Sequence, residues 1–109
     1  MYKLTTPTHI FTVNLDPNEW DQFKISYKQD TKIVLEKTEA DIAEMMFSET
    51  DDDRWSISFP LTVEETNRFK PQFPVKIQIR CYYADGKSYA SSIMQASVQD
   101  VLNKELFDG

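Results

Sequence analysis

Residues 75–98 decide the fold, and they read VKIQIRCYYADGKSYASSIMQASV. In the first half of this stretch apolar and polar side chains alternate, which is the period of two typical of a half-buried β-strand. Asp85-Gly86 follows, a dipeptide suited to the positive φ angles of a tight hairpin turn. A second alternating run returns from Tyr89 to Val98. The segment therefore predicts one long antiparallel hairpin with a tight turn at Asp85-Gly86, for which a two-residue turn is the first case to consider.

The length of the turn fixes which side chains lie opposite each other. With a two-residue turn, Ile77 faces Met94 on the inner side of the hairpin. Tyr82 then faces Tyr89 on the outer side, near the tip. A loop with an odd number of residues would reverse this parity, because successive side chains of a strand point to opposite faces.

Similar alternating runs precede the hairpin. They predict further strands at Thr8–Leu15, Phe23–Tyr27, Lys32–Lys37 and Trp55–Leu61. In the third of these, Ile33 and Leu35 are expected to point to the same side. Residues 1–7 ahead of the first strand are expected to form an unanchored arm.

Two connections carry helix signals. Thr62-Val-Glu-Glu65 has the pattern of a capping box, in which the Thr hydroxyl and the Glu side chain each bond a backbone N–H, and it predicts one helical turn. Residues 38–47 are ambiguous: Thr38 with Asp41 could cap a helix, but a strand fits the same residues equally well.

These elements predict a single all-β domain spanning residues 1–109. Six or seven short strands with one short helical connection are typical of an immunoglobulin-like antiparallel β-sandwich. A small, partly open β-barrel is the alternative.

Composition excludes several classes of partner and site. The formal charge of -6, with no basic run or basic face standing out, argues against nucleic acid. The lone Cys81 leaves no intrachain disulfide and no thiolate metal site. No apolar run approaches the ~20 residues that span a bilayer, and no signal segment is evident, so we expect no membrane contact. With only two glycines, there is no phosphate-binding loop and we expect no cofactor.

No catalytic or metal-binding constellation is evident. His9 is the single histidine, without a nucleophile or second ligand nearby in sequence. Cys81 lies on the apolar side of its strand, where a free cysteine behaves as a small hydrophobe. The acidic run Glu49–Asp53 offers oxygen ligands but lacks the ligand spacing and the glycine of a calcium loop. We therefore expect a protein that is not an enzyme and binds no metal.

The outer face of the hairpin is the candidate interaction surface. Its members are Tyr82, Tyr89, Arg80, Gln78 and Ile93. A cross-strand tyrosine pair can simply stabilise the sheet, but tyrosine is also enriched at protein interfaces. We expect Tyr82→Ala and Tyr89→Ala to weaken partner binding more than folding.

Several segments follow one another in an order shared with a known group of proteins. They are Thr6–Val13, Ile25–Gln29, Glu36–Thr38, Leu61–Thr66, Val75–Arg80, Ala90-Ser91 and Ser97-Val98. In these segments the chain resembles a family of small proteins encoded by phages and prophages of Gram-positive gut bacteria. The first strand also resembles the N-terminal β domains of phage upper baseplate proteins. The similarity spans nearly the whole chain and departs around Ala43–Asp53, where this sequence is longer.

The resemblance implies a virion component or assembly factor, with the tail and the baseplate as candidate positions. It supplies no catalytic residues. We therefore expect a non-enzymatic structural component of a phage-like particle that is assembled in the host cytoplasm. Its partners are then other phage structural proteins and further copies of itself. The alternative is an accessory phage protein that binds and modulates a host protein in the cytoplasm.

Overall fold

A computed structural model describes residues 1–99 of the chain. The strands are β1 Thr8–Val13, β2 Gln22–Gln29, β3 Lys32–Thr38, β4 Met46–Glu49, β5 Trp55–Pro60, β6 Val75–Tyr82, β7 Ser88–Ala90 and β8 Met94–Ala96. One short α-helix, α1, spans Val63–Asn67, and short 3-10 helices span Pro17–Glu19 and Glu39–Glu44. Strands are therefore the main regular secondary structure of the described residues, as the alternating pattern predicts.

The strands form two antiparallel sheets that pack face to face. One sheet has the order β1-β5-β4, and the other has the order β3-β2-β6-β7, with β8 also pairing with β6. The first order matches strands B, E and D of an immunoglobulin domain, and the second matches C′, C, F and G. The predicted immunoglobulin-like sandwich with one short helical connection is confirmed, and the barrel alternative is not.

The core lies between the two sheets and is built from alternate residues of each strand. Phe23 of β2 meets Phe47 of β4 at a ring separation of 6.4 Å, so these side chains cross the gap between the sheets. Tyr27 packs edge-on against Phe69, which follows α1, at 5.8 Å. The α1 segment therefore closes one end of the core. Fully buried members include Ile25, Tyr27, Ile57, Phe59, Leu61, Phe69 and Val75.

The hairpin turn has three residues rather than two, so the predicted register at its tip is wrong. The N–H of Tyr83 donates to Lys87 O at 2.9 Å, and Gly86 adopts a φ of +90° within the loop. An odd loop reverses the parity of the returning strand. Tyr82 consequently pairs with Ser88, not with Tyr89.

The returning strand is broken, and its second half recovers the predicted register. β7 and β8 both pair with β6, but Ile77 lies opposite Met94 as predicted. Between them the N–H of Ser91 donates to Ile79 O and the Ser91 hydroxyl accepts from Ile79 N–H. The break at residues 91–93 therefore absorbs the one-residue shift introduced by the odd loop.

The prediction that Ile33 and Leu35 point to the same side of β3 is wrong, because a β-bulge lies between them. The register changes between Tyr27 and Lys28, which leaves one extra residue, Val34, in β3. Leu35 remains buried opposite Tyr27, whereas Ile33 is turned outward opposite Lys28 and is exposed. A bulge of this kind reverses the alternation locally.

Residues 38–47 contain both of the structures that the sequence left open. Thr38 caps the 3-10 helix Glu39–Glu44 in a capping box with Asp41, and β4 begins at Met46. The second predicted capping box, Thr62 with Glu65, is confirmed at the start of α1.

The N-terminal segment is anchored, contrary to the prediction. Lys3 N–H donates to Gln99 O at 3.0 Å, and Tyr2 forms a parallel bridge with Gln99. The Thr66 hydroxyl also donates to Thr5 O at 2.9 Å. Because these bonds join residues far apart in the sequence, a local pattern could not reveal them.

Candidate functional site

The five predicted contact residues do not form one surface. Gln78, Arg80 and Tyr82 alternate along β6 and point outward from the five-stranded sheet. Tyr89 lies opposite Cys81, on the inner side of that sheet, and packs edge-on against Tyr83 at 5.7 Å. The three-residue turn is the reason, because it moves Tyr89 to the opposite face.

The outward residues of β6 are partly engaged with each other. Arg80 Nη2 donates to the Tyr82 hydroxyl at 2.6 Å, and the guanidinium carbon lies 5.6 Å from the centre of the Tyr82 ring. Gln78 Nε2 donates to Ser91 O at 3.0 Å, at the break in the returning strand. Ile93 lies in that break and is exposed. The amide of Gln78 therefore stabilises the sheet, while Arg80 and Tyr82 stay together on the outer surface.

A groove of about 510 Å³ opens between the two sheets on the side of β1 and β7. Val13 and Leu15 line it from the β1 side, Cys81 and Tyr89 line it from the five-stranded sheet, and Trp20 is also part of its lining. The Cys81 side chain is buried, and burial raises the pKa of its thiol, so the sulfur is held in its less reactive protonated form. The predicted role of Cys81 as a small hydrophobe agrees with this position.

His9 lies outside this groove and has a different partner. Its Nδ1 is 2.7 Å from the Tyr27 hydroxyl, within a group of aromatic rings that includes Phe11 and Phe59. Burial, with a smaller effect of the N-terminal ammonium, lowers the pKa of His9. Burial also raises the pKa of Tyr27, and the charge of Glu65 adds to this rise. The pair is therefore neutral near pH 7 and links β1 to β2 across the core.

One buried ion pair lies beside this group. The ammonium of Lys37, whose side chain is 7% exposed, is 2.6 Å from Glu65 Oε2 and 3.4 Å from Glu44 Oε2. Desolvation alone would lower the pKa of Lys37, but the hydrogen bond and charge of Glu65, with Glu44, outweigh it and raise the pKa. Both groups remain charged, and they connect β3 to α1.

The described residues offer neither a metal cluster nor a membrane span. Within residues 1–99, no three side chains of the His, Cys, Asp or Glu type gather as metal ligands would. In the same part of the chain, no helix has the length and apolar character required to cross a bilayer.

The outer face of the three-stranded sheet carries no charged side chain. Its central row is Ile10-Ser58-Met46, in which the small serine separates two large apolar side chains. Ile10 is 66% exposed and Met46 is 67% exposed. The other outward residues are Thr8, Thr12, Ser48, Ser56 and Pro60. We call these eight residues the uncharged face.

The edge of this sheet at β1 is also unprotected. β1 reads THIFTV, and neither a charged residue nor a proline interrupts it. On its second side it has no strand partner among residues 1–99, at the position that strand A occupies in an immunoglobulin domain. Edge strands are normally protected by charges, prolines, bulges or short length. The other edge strands are protected in these ways: β3 has charges and a bulge, and β4, β7 and β8 are short.

Ile10 and Met46 were not among the contact residues predicted from the sequence. A signal for Ile10 was present, because it lies between two inward residues, His9 and Phe11, and must therefore face outward. Met46 had no such signal, since its strand assignment was ambiguous.

No protein-family model matches this chain, and no curated protein is significantly similar to it.

Proposed function

We propose that the protein is a non-enzymatic structural component of a phage-like particle, in its tail or baseplate, and that it joins a second copy of itself through β1. The observation that carries this proposal is the unprotected edge of β1. An uncharged edge strand invites another strand, because its free N–H and C=O groups can extend the sheet.

The geometry favours a two-fold contact between identical strands. Antiparallel pairing of β1 with β1 of a second copy would join the two three-stranded sheets into one continuous sheet. The outward Ile10 side chains of both copies would then lie close together in the middle of the contact. Because the uncharged face has no ionic groups, the joined sheets would bring no like charges together.

The particle itself is supported by the sequence resemblance to phage proteins. A structural role also fits the chemistry of the sites, because His9 is bonded to Tyr27 and Cys81 is a buried thiol. Mass spectrometry of purified particles tests this part of the proposal. We expect the protein in mature particles, in stoichiometric amounts with the tail or baseplate proteins. Absence from particles, with normal particle formation after deletion of the gene, would overturn it.

Three lysine substitutions test the contact through β1. Ile10→Lys places a charge on the edge strand and is expected to convert dimers to monomers in sedimentation experiments. Met46→Lys alters the same face on β4, two strands away from β1, and dimers should persist. Ile42→Lys, at an exposed isoleucine of the 3-10 helix, is the matched control and should also leave dimers intact. Thermal melts would establish that all three variants fold.

The three variants also separate edge pairing from other contacts. If Ile10→Lys and Met46→Lys both abolish dimers, the sheets pack face to face and the edge-pairing model is wrong. If the parent protein is monomeric at all concentrations and co-purifies with one host protein through Ile10, the accessory role in the host cytoplasm replaces the structural one.

A further inference from the structure

The outer face of the five-stranded sheet concentrates positive charge in an acidic protein. Its outward cations on β2 and β6 are Lys24, Lys28, Lys76 and Arg80, which we call the cationic face. The register places Lys24 opposite Arg80 and Lys28 opposite Lys76. The prediction that no basic face stands out is therefore wrong, because two strands distant in sequence contribute equally to this surface.

The arrangement works against the stability of the sheet. Like charges directly opposite each other on neighbouring strands are destabilising. Lys24 Nζ lies 3.6 Å from Glu36 Oε1, in a partly exposed ion pair. Lys28, Lys76 and Arg80 form no ion pair with a carboxylate among residues 1–99. Elsewhere the cations Lys37, Arg54, Arg68 and Lys87 each have a carboxylate partner. Among residues 1–99, Lys3, Lys32 and Lys70 also lack a carboxylate partner, so three of the six unpaired cations, Lys28, Lys76 and Arg80, lie together on this face.

A surface of the opposite charge lies at the turn between β4 and β5. Residues 49–53 form it, and we call them the acidic tip. The Thr50 hydroxyl accepts from Arg54 N–H at 3.1 Å and donates to Asp52, while the Arg54 guanidinium pairs with Asp52. These bonds cross-link the turn, and the hydrogen bonds from Arg54 and Thr50 lower the pKa of Asp52 to about 2. Glu49, Asp51 and Asp53 remain exposed, and none of them has an ion-pair partner in the described part of the chain.

We propose that the cationic face binds the acidic tip of a second copy of this chain. Charge complementarity supports the choice of partner, because the tip supplies three carboxylates without cationic partners to a face on which Lys28, Lys76 and Arg80 have no carboxylate partner among residues 1–99. The Lys24–Arg80 pair and the Lys28–Lys76 pair lie about 13 Å apart along β2, because four residues of an extended strand separate them. The carboxylates at the tip of a two-stranded turn can span this distance. The contact is head-to-face and therefore heterologous, so it can add copies beyond the dimer formed through β1. It stands independently of that dimer.

Nucleic acid is the competing polyanion, and the charge of the whole protein argues against it. A net charge of -6 repels a phosphate backbone at long range, since nucleic-acid binding depends on an excess of clustered cations. Contact with an acidic tip requires complementarity only at the surfaces that meet. This reasoning favours the second copy.

Charge reversal in two places tests the proposal. Lys28→Glu/Lys76→Glu reverses the face, and Glu49→Lys/Asp51→Lys reverses the tip. We expect each variant alone to lose salt-sensitive self-association by about tenfold or more, measured by sedimentation at about 50 mM and about 500 mM salt. An equimolar mixture of the two variants should associate again, because each then offers the complement of the other. Lys70→Glu/Lys87→Glu, with the same change in net charge as the face variant, is the control for that variant and should associate normally.

The outcomes separate this contact from the others. Failure of the mixture to associate, or equal loss in the Lys70/Lys87 control, would overturn the tip-to-face contact. Fluorescence anisotropy with a labelled single-stranded oligonucleotide tests whether the cationic face binds nucleic acid. Binding that disappears in Lys28→Glu/Lys76→Glu would assign the cationic face to nucleic acid instead. Association that persists at about 500 mM salt, is unchanged in Lys28→Glu/Lys76→Glu and disappears in Ile10→Lys would belong to β1 alone and would overturn the tip-to-face contact.

Discussion

The ammonium group of Lys37 lies 2.6 Å from Glu65 Oε2, and this contact joins β3 to the first turn of α1. Glu65 is also the capping residue that accepts from Thr62 N–H at 2.9 Å. A single carboxylate thus starts the helix and neutralises a buried cation. Because both side chains are largely removed from solvent, removal of one partner leaves an uncompensated charge in the interior.

We expect Lys37→Met to lower the free energy of unfolding by about 3 kcal/mol or more, since a buried pair loses its cation. Chemical denaturation measures the change. Arg68→Met breaks the exposed pair with Glu64 and is the control, with an expected loss below about 1 kcal/mol. Equal losses in the two variants would show that the Lys37 pair contributes no more than a surface pair.

Gln29 holds the loop that leads into β6. Its Nε2 donates to Lys70 O at 2.7 Å and to Phe73 O at 2.9 Å, and its Oε1 accepts from Lys70 N–H at 2.8 Å. Gln29→Glu places an acceptor against two carbonyl oxygens, and we expect a loss of about 2 kcal/mol or more in unfolding free energy. Gln22→Ala, at an exposed glutamine of the same strand, should change it by less than about 0.5 kcal/mol. If Gln29→Glu leaves the free energy of unfolding unchanged, the loop does not depend on this amide.

His9 makes stability depend on pH. Its pKa is lowered from 6.5 in the folded protein, so the unfolded chain takes up a proton on acidification before the folded protein does. The free energy of unfolding is therefore expected to be level above the unfolded pKa and to fall as the pH drops from 6.5 towards the folded pKa. Urea unfolding between about pH 8 and about pH 5 measures this slope. His9→Gln should flatten it, and an unchanged slope in that variant would assign the effect to other groups.

The position of Tyr89 predicts which tyrosine it is coupled to. Tyr83 and Tyr89 are 5.7 Å apart in an edge-to-face contact, so a double-mutant cycle to alanine should give a coupling of about 0.5–1.5 kcal/mol. The matched cycle of Tyr82 with Tyr89 should give a coupling near zero, because the two side chains point to opposite faces. A coupling between Tyr82 and Tyr89, with none between Tyr83 and Tyr89, would support the register expected from a two-residue turn.

Alternation of apolar residues was sufficient to predict the sandwich and most of its strands, although it left β4 open. Phe23, Ile25 and Tyr27 face the core as their spacing requires, and the Thr62 capping box forms as its pattern predicts. These features depend on residues that are close together in the sequence. Such local patterns determine which face of a strand is buried.

The errors arose where one residue more or less changes the geometry. A turn of Ala84, Asp85 and Gly86 has nearly the same composition as a two-residue Asp-Gly turn, but it reverses the following strand. The bulge at Val34 has no sequence marker of its own. The candidate surfaces could not be predicted for a related reason: the uncharged face and the cationic face form only when distant strands become neighbours.

The two registers of the strand that returns beside β6 affect how the chain tolerates insertions and deletions. β7 is positioned by the loop, whereas β8 is positioned separately by the Ile77–Met94 pairing. The two bonds between Ser91 and Ile79 secure the point where the registers change. We therefore expect that the hairpin tip can be lengthened or shortened without repacking the lower half of the sandwich. The hairpin tip is accordingly the place where a new binding loop could be inserted with the smallest loss of folding stability.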